Sequence, residues 1–401
     1  MPLPIAELHA DIDARAGRLR ALIEAHALSG IVLFQRNYVL YASGFAFIPT
    51  ERPIAYVLSA TGERALFVPR LEREHALANG RIDRVFDYPE YPHDPHPMVH
   101  LKRALDEMGI STPSGAVIGV DEDGYPWVFG YRGAPLSQVT GRAVLDIRAA
   151  IEDMMMIKSE VEIAFIRECC RWGDHAHRLL QDYTRVGLTE TEVTTRAGND
   201  ATRAMIESIG MDYRSANEYY YGAQAGYRGQ IGRNGAIPHA LPGNITFQPG
   251  DTLVTGAAST IWGYNSELER TMFMGAPSDE QKFFFDHMLA LQTLAIEAIA
   301  PGRACAEVDR AVRAYFEQHE LMPYWKHHVG HAIGLRYHEA PFLDIGDQTI
   351  MQPGMVFTIE PGLYTPELGG FRHSDTILVT ETGREFLTDY PRDRDSLIIP
   401  V

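Results

Sequence analysis

The chain has 401 residues, 45% hydrophobic and 22% charged, enough for two domains and a large core and too apolar for wholesale disorder. A formal charge of −17 argues against nucleic acid or an anionic membrane as partner. No apolar run approaches the roughly 20 residues of a membrane span. Three cysteines occur, Cys169 and Cys170 side by side and Cys305 alone, without the spacing of a disulfide framework. The N-terminal stretch mixes acidic residues into its apolar pattern and lacks the h-region of a signal peptide. A cytoplasmic protein with reduced thiols is expected.

Leu8, Ile12, Leu19, Leu22 and Ile23 recur at helical spacing and predict an amphipathic helix over residues 6–26. Gly30 opens a strand, and short apolar strands follow at Ile54–Leu58, Ala65–Val68, Ala116–Val120 and Val144–Ile147. Residues 88–100 are rich in proline and histidine. The interleaved prolines predict a surface loop there rather than a metal site built from His93, His96 and His100. This alternation predicts a small α/β domain over residues 1–152.

Ser159 with Glu162, and Thr189 with Glu192, are capping boxes that predict a helix through Leu180 and a second one from about Glu190 to Ile209. The glycine- and tyrosine-rich segment 218–244 reads as a strand and a pocket-lining loop with His239 near its end. Residues 250–273 predict two strands turning at Trp262-Gly263. Side chains two apart share a face of a strand, so Glu267 and Glu269 point the same way, as a cation, a shared proton or a polar ligand would require. Helices over 278–300 and 306–320 flank Pro301-Gly302, and strands with loops complete the chain. Residues 153–401 are therefore expected to form an α+β domain with a strongly antiparallel sheet. His239, Glu267, Glu269, His331, His338, Glu360, His373 and Asp375 come from separated segments of it.

Three motifs carry a resemblance: G-H-x-x-G-L-x-x-H-E-x-P at Gly330–Pro341, P-G-M-V-F-T-I-E-P-G at Pro353–Gly362, and G-Y-x-S-x-x-x-R-T ending the 250–271 segment. In that order and spacing the chain resembles the pita-bread family of methionine aminopeptidase, prolidase, aminopeptidase P and creatinase. The resemblance implies a creatinase-type N-terminal domain followed by a pita-bread catalytic domain. Its peptidases hold two metal ions with two aspartates, a histidine and two glutamates. Here Gly256 stands at the first aspartate, Glu267 at the second, His331 at the histidine, Glu360 at the first glutamate and Ser374 at the second.

Two of five ligands are thus replaced, and the metal-free creatinase branch becomes the nearer comparison. Glu269, in L-E-R-T, stands where creatinase has a substrate-binding glutamate, and His239 where it keeps its catalytic histidine. Arg52, in S-G-F-A-F-I-P-T-E-R-P, matches a creatinase arginine that takes the substrate carboxylate across a homodimer interface. Thr50, Phe342, Glu267 and Ser374 depart from creatinase, so the pocket is expected to be more acidic and differently shaped. The leading expectation is a hydrolase that needs no cofactor and cleaves a C–N bond in a small zwitterionic amidine or guanidine, creatine- or ectoine-like. Glu269 and Glu360 would grip the cation and Arg52 the carboxylate. His239 would move the proton, Glu267 is a candidate nucleophile, and His331 and His338 would orient and stabilise charge. Two alternatives stand beside it. One is an Xaa-Pro type metallopeptidase holding one divalent ion with Glu267, His331 and Glu360. The other is a catalytically silent binding protein.

Overall fold

Residues 3–112, 114–217 and 221–401 are described by a computed structural model and fall into two units, Pro4–Met155 and Met156–Val401. Residues 218–220, at the start of the glycine- and tyrosine-rich stretch, lie outside the described residues.

In the first unit the apolar strands assemble into a mixed six-stranded sheet. Its order is Arg84–Tyr88, Arg64–Pro69, Ala55–Ser59, Gly30–Leu33, Val117–Val120 and Ala143–Asp146. Pairing is parallel except on the two sides of Ala55–Ser59. Val32, Phe34, Val57, Phe67, Leu101 and Ile118 fill the core on one face. The helix Ile5–Ala25 buries Leu8, Ile12, Leu19 and Ile23, the apolar positions that predicted it. The loop expected over residues 88–100 ends early, because Pro97 opens the helix Pro97–Glu107 and carries His100 into it. Proline is suited to a first helical turn, whose N–H groups lack intrahelical partners anyway. The His96 ring accepts from Met98 N at 3.2 Å and caps that turn.

Both capping boxes in the second unit form, opening the helices Glu160–Tyr183 and Glu190–Ile209. These helices cover the three-stranded sheet Tyr264–Asn265, Gly256–Ile261 and Ala223–Gly226. Trp262 and Gly263 both take positive φ, 54° and 85°, as a tight hairpin turn demands. An antiparallel five-stranded sheet runs Glu339–Leu343, Gly330–Ala332, Val356–Ile359, Asp375–Thr380 and Gly383–Phe386. Gly330 must be glycine there: a Cβ would sit 2.0 Å from the Thr358 carbonyl oxygen, so the His331 strand lies closer to its neighbour than any side chain permits.

The hairpin's return strand stays tied to its partner, with Leu268 and Ala257 exchanging N–H bonds at 2.9 and 2.7 Å, and at the next residue it also joins the larger sheet. Glu269 and Ser374 bridge there, each donating its N–H to the other's carbonyl at 3.0 Å. Arg270 locks this crossing. Its side chain is wholly buried and its five N–H donors all find acceptors. They reach the carbonyls of Pro391 (2.7 Å), Glu269 (2.8 Å), Ser374 (2.9 Å) and Tyr390 (3.0 Å), and Asp375 Oδ1 (2.8 Å). The second oxygen of Asp375 accepts from Gln292 on the helix Asp279–Ala298 at 2.9 Å. Removing one partner of such a pair strands a buried charge. Arg270→Met is therefore expected to cost about 3–5 kcal/mol in urea unfolding, and the double variant Arg270→Met/Asp375→Asn less than the single one. Equal losses in both would show that the pair is not the anchor.

Candidate active site and metal centre

Three of the predicted residues converge. His331 leaves the strand Gly330–Ala332, Glu360 follows Val356–Ile359, and Glu267 lies on the crossing segment beside Ser374. His331 Nε2 is 3.3 Å from Glu360 Oε1 and 4.0 Å from Glu267 Oε2. The ring is set by its far nitrogen, Nδ1, 3.0 Å from the Ala332 carbonyl. Nε2 is buried without hydrogen-bond geometry to any partner, aimed between the two carboxylates. One donor atom from each residue lies within 4.8 Å of the others. A buried nitrogen lone pair and two carboxylate oxygens are a donor set for one hard or borderline divalent ion. The residues fit it.

The electrostatics agree with that donor set. Burial, then the charge of Glu360, pushes the Glu267 carboxyl above its ordinary range. Burial acts the same way on Glu360, but His331 and Arg372 outweigh it and hold that carboxylate low. For His331 burial disfavours the imidazolium, yet the two carboxylates prevail and carry its pKa up to about 9. Two carboxylates facing one imidazole in a dry pocket thus call for a cation, a proton or a metal ion.

Ser374 Oγ donates to Glu267 Oε1 at 2.7 Å and leaves Oε2 facing His331. At position 256, a Cβ would meet Arg228 Nε and Glu269 Oε1 at 3.7 Å, so a guanidinium and a carboxylate lie where a side chain would extend. Glu269 is not open toward a ligand. Arg372 grips its carboxylate through Nε and through Nη2 (2.7 Å), and Arg228 Nη2 adds a third bond at 2.6 Å. A substrate cation at Glu269 would have to displace a buried guanidinium.

His338 stacks on His331 at 3.8 Å and 19° and is exposed, while partial burial and the His331 ring lower its pKa. Its neighbour Glu339 turns away to a buried pair with Lys158 at 2.7 Å. His239 is exposed after the turn Gly232–Ala236, within electrostatic reach of His338. His373 is fully buried against Phe285, away from this cluster's hydrogen bonds. Arg52 belongs to the first unit, where Glu90 (2.6 Å) and Glu51 (2.6 Å) hold its guanidinium.

Arg228 and Arg372 escaped the sequence reading. Arg372 sits in the stretch G-F-R-H-S-D, where the comparison of ligand positions drew the eye to Ser374 instead. Arg228 lies among glycines with no motif around it.

Residues 164–381 match the model of metallopeptidase family M24, and residues 15–157 that of the creatinase/prolidase N-terminal domain. The chain belongs to family M24. It is 28% identical to an Xaa-Pro dipeptidase of Pyrococcus horikoshii over 95% of this chain and 99% of that protein. The crystal structure of the prolidase from Pyrococcus horikoshii superposes with a TM-score of 0.78 at 26% identity, covering 95% of this chain and 99% of the other. Dipeptidase PepE from Mycobacterium ulcerans gives 0.79 at 26% identity over the full length of both. The pita-bread fold with its creatinase-type N-terminal domain is thereby established.

Two expectations are corrected. A metal-free hydrolase of a creatine- or ectoine-like compound gives way to the alternative reading, because full-length relatives and structural neighbours are Xaa-Pro dipeptidases and prolidases. The expectation of no cofactor falls with it, since the family is one of metallopeptidases and Glu267, His331 and Glu360 can hold an ion. The misreading has a physical source: L-E-R-T resembles creatinase in letters, but Glu269 spends its charge on Arg372 and Arg228.

Titration of the metal-free protein with Mn2+ or Zn2+ is expected to give one ion per chain, and none in His331→Ala. Ser374→Ala, which removes the hydrogen bond orienting Glu267, should weaken the metal by about 10- to 100-fold. An unchanged affinity in Ser374→Ala would detach that hydroxyl from the site.

Proposed function

We propose that the protein is an Xaa-Pro type dipeptidase working with a single divalent ion held by Glu267, His331 and Glu360. The observation that carries this reading is the buried Nε2 of His331 facing two carboxylates, 3.3 Å from Glu360 and 4.0 Å from Glu267, in a chain whose relatives are named for that activity. A divalent ion there supplies Lewis acidity, polarising a carbonyl oxygen and acidifying water.

The remaining work falls to the chain. The Glu267 carboxylate, fixed by Ser374 at Oε1, keeps Oε2 facing His331 as a ligand. His338 and His239 stand at the solvent edge, where an imidazole can return a proton to the leaving nitrogen. Arg372 is saturated by Glu269, Tyr364, Gln230 and Pro238, so it positions Glu269 rather than touching substrate. A cytoplasmic homodimer completes the proposal. Arg52 of one protomer would release Glu51 and Glu90 to meet the substrate of its partner.

Purified protein assayed on Ala-Pro should lose activity on exhaustive chelation and recover it with one equivalent of Mn2+, Co2+ or Zn2+. His331→Ala should remain inactive at any metal concentration, and His239→Ala should lower kcat by about 10²- to 10⁴-fold. Hydrolysis undiminished by chelation would overturn the metal-dependent reading.

A further inference from the structure

The strongest unassigned feature is the surplus positive charge beside the ligand cluster. Glu269 is buried and contributes one negative charge, but two guanidinium groups converge on it. Arg372 is enclosed, and each of its five N–H donors is already directed at Glu269, Tyr364, Pro238 or Gln230. Arg228 is different. It gives only Nη2 to the cluster, to Glu269 Oε1 at 2.6 Å and Gln230 Oε1 at 3.4 Å, and its side chain remains 46% exposed. Its Nε and Nη1 have no partner among the described residues.

Gly256 packs beside this guanidinium, where a Cβ would stand 3.7 Å from Nε, so the exposed part of the side chain lies at Nη1. The guanidinium is tethered at one end by a buried carboxylate and open at the other, so little side-chain freedom remains to be lost on binding. Once a divalent ion balances Glu267 and Glu360, Glu269, Arg372 and Arg228 together carry one net positive charge. Arg372 links this trio to the ligand cluster, its Nε 3.8 Å from Glu360 Oε2. Within its own chain Arg52 is held by Glu90 and Glu51.

We infer that Arg228 is a substrate-recognition residue, donating its free Nη1–H to a carboxylate of the peptide while Glu269 holds Nη2. A hydrogen bond between a guanidinium N–H and a carboxylate is charge-assisted and roughly twice as strong as a neutral one. The carboxylate comes from the peptide C-terminus, which restricts the enzyme to dipeptides, or from an acidic side chain, which selects residue type. The inference rests on the peptidase reading for its choice of peptides.

Calorimetry on the metal-free protein with three probes, Ala-Pro, Ala-Pro amide and Glu-Pro amide, separates these sources without turnover. Wild type is expected to bind at least one carboxylate-bearing probe about 10- to 100-fold more tightly than Ala-Pro amide. Preference for Ala-Pro assigns the C-terminus, and preference for Glu-Pro amide the side chain. Arg228→Gln should erase that preference, and in the metal-loaded enzyme raise KM for the preferred peptide by a similar factor with a smaller change in kcat. No preference in wild type, or one that survives Arg228→Gln, overturns the inference. Cleavage without an Arg228-dependent preference leaves the peptidase reading standing alone. The preference without cleavage of any probe does the reverse.

Discussion

A single buried guanidinium holds the site together. Arg270 sits where the hairpin's return strand crosses onto the five-stranded sheet, and its bonds reach both strands of the Glu269–Ser374 bridge. Glu267 lies three residues before it and Ser374 across from it, so the orientation of a metal-binding carboxylate depends on that crossing. Thr376 adds a second tie, donating to the Glu267 carbonyl at 2.8 Å and accepting from its N–H at 3.2 Å. The Thr376 hydroxyl thereby satisfies the Glu267 backbone groups, while Leu268 pairs with Ala257 on one side and Glu269 with Ser374 on the other.

Around that anchor the site divides into two electrostatic halves. Glu267, Glu360 and His331 make a negative pocket suited to a cation. Glu269, Arg372 and Arg228 make an adjoining cluster with positive surplus. The two halves share the contact between Arg372 and Glu360. A polar peptide whose reacting carbonyl and charged end lie a few bonds apart would meet opposite fields at its two ends, which favours orientation as well as affinity.

Much of this was legible in the sequence because local chemistry dictated it. The Ser159 and Thr189 capping boxes, the Trp262-Gly263 turn and the apolar period of residues 6–26 are signals within a few residues, and each formed the element it indicated. The convergence of Glu267, His331 and Glu360 followed from the resemblance of three motifs. Pairings of residues 228, 269 and 372 had no such signal. They come from a glycine-rich stretch, a crossing strand and a two-stranded ribbon, and only tertiary structure brings them together. The Glu269 carboxylate shows why: a glutamate beside a catalytic motif has the same letter whether it faces a ligand or, as here, two arginines.

The acceptors chosen by Arg270 have a consequence for how such a sequence can drift. Four of its five bonds end on peptide carbonyls, at residues 269, 374, 390 and 391. No substitution at those positions deletes an acceptor, because every residue carries a carbonyl. Pro391 is free to change as far as the anchor is concerned, provided the chain keeps its path. Tyr390 also lays its ring 5.9 Å from the guanidinium, so it joins Arg270 and Asp375 as a side chain the anchor uses. A scaffold anchored this way can vary the side chains around its site, at positions 256 and 374 among others, while the frame beneath them stays in place.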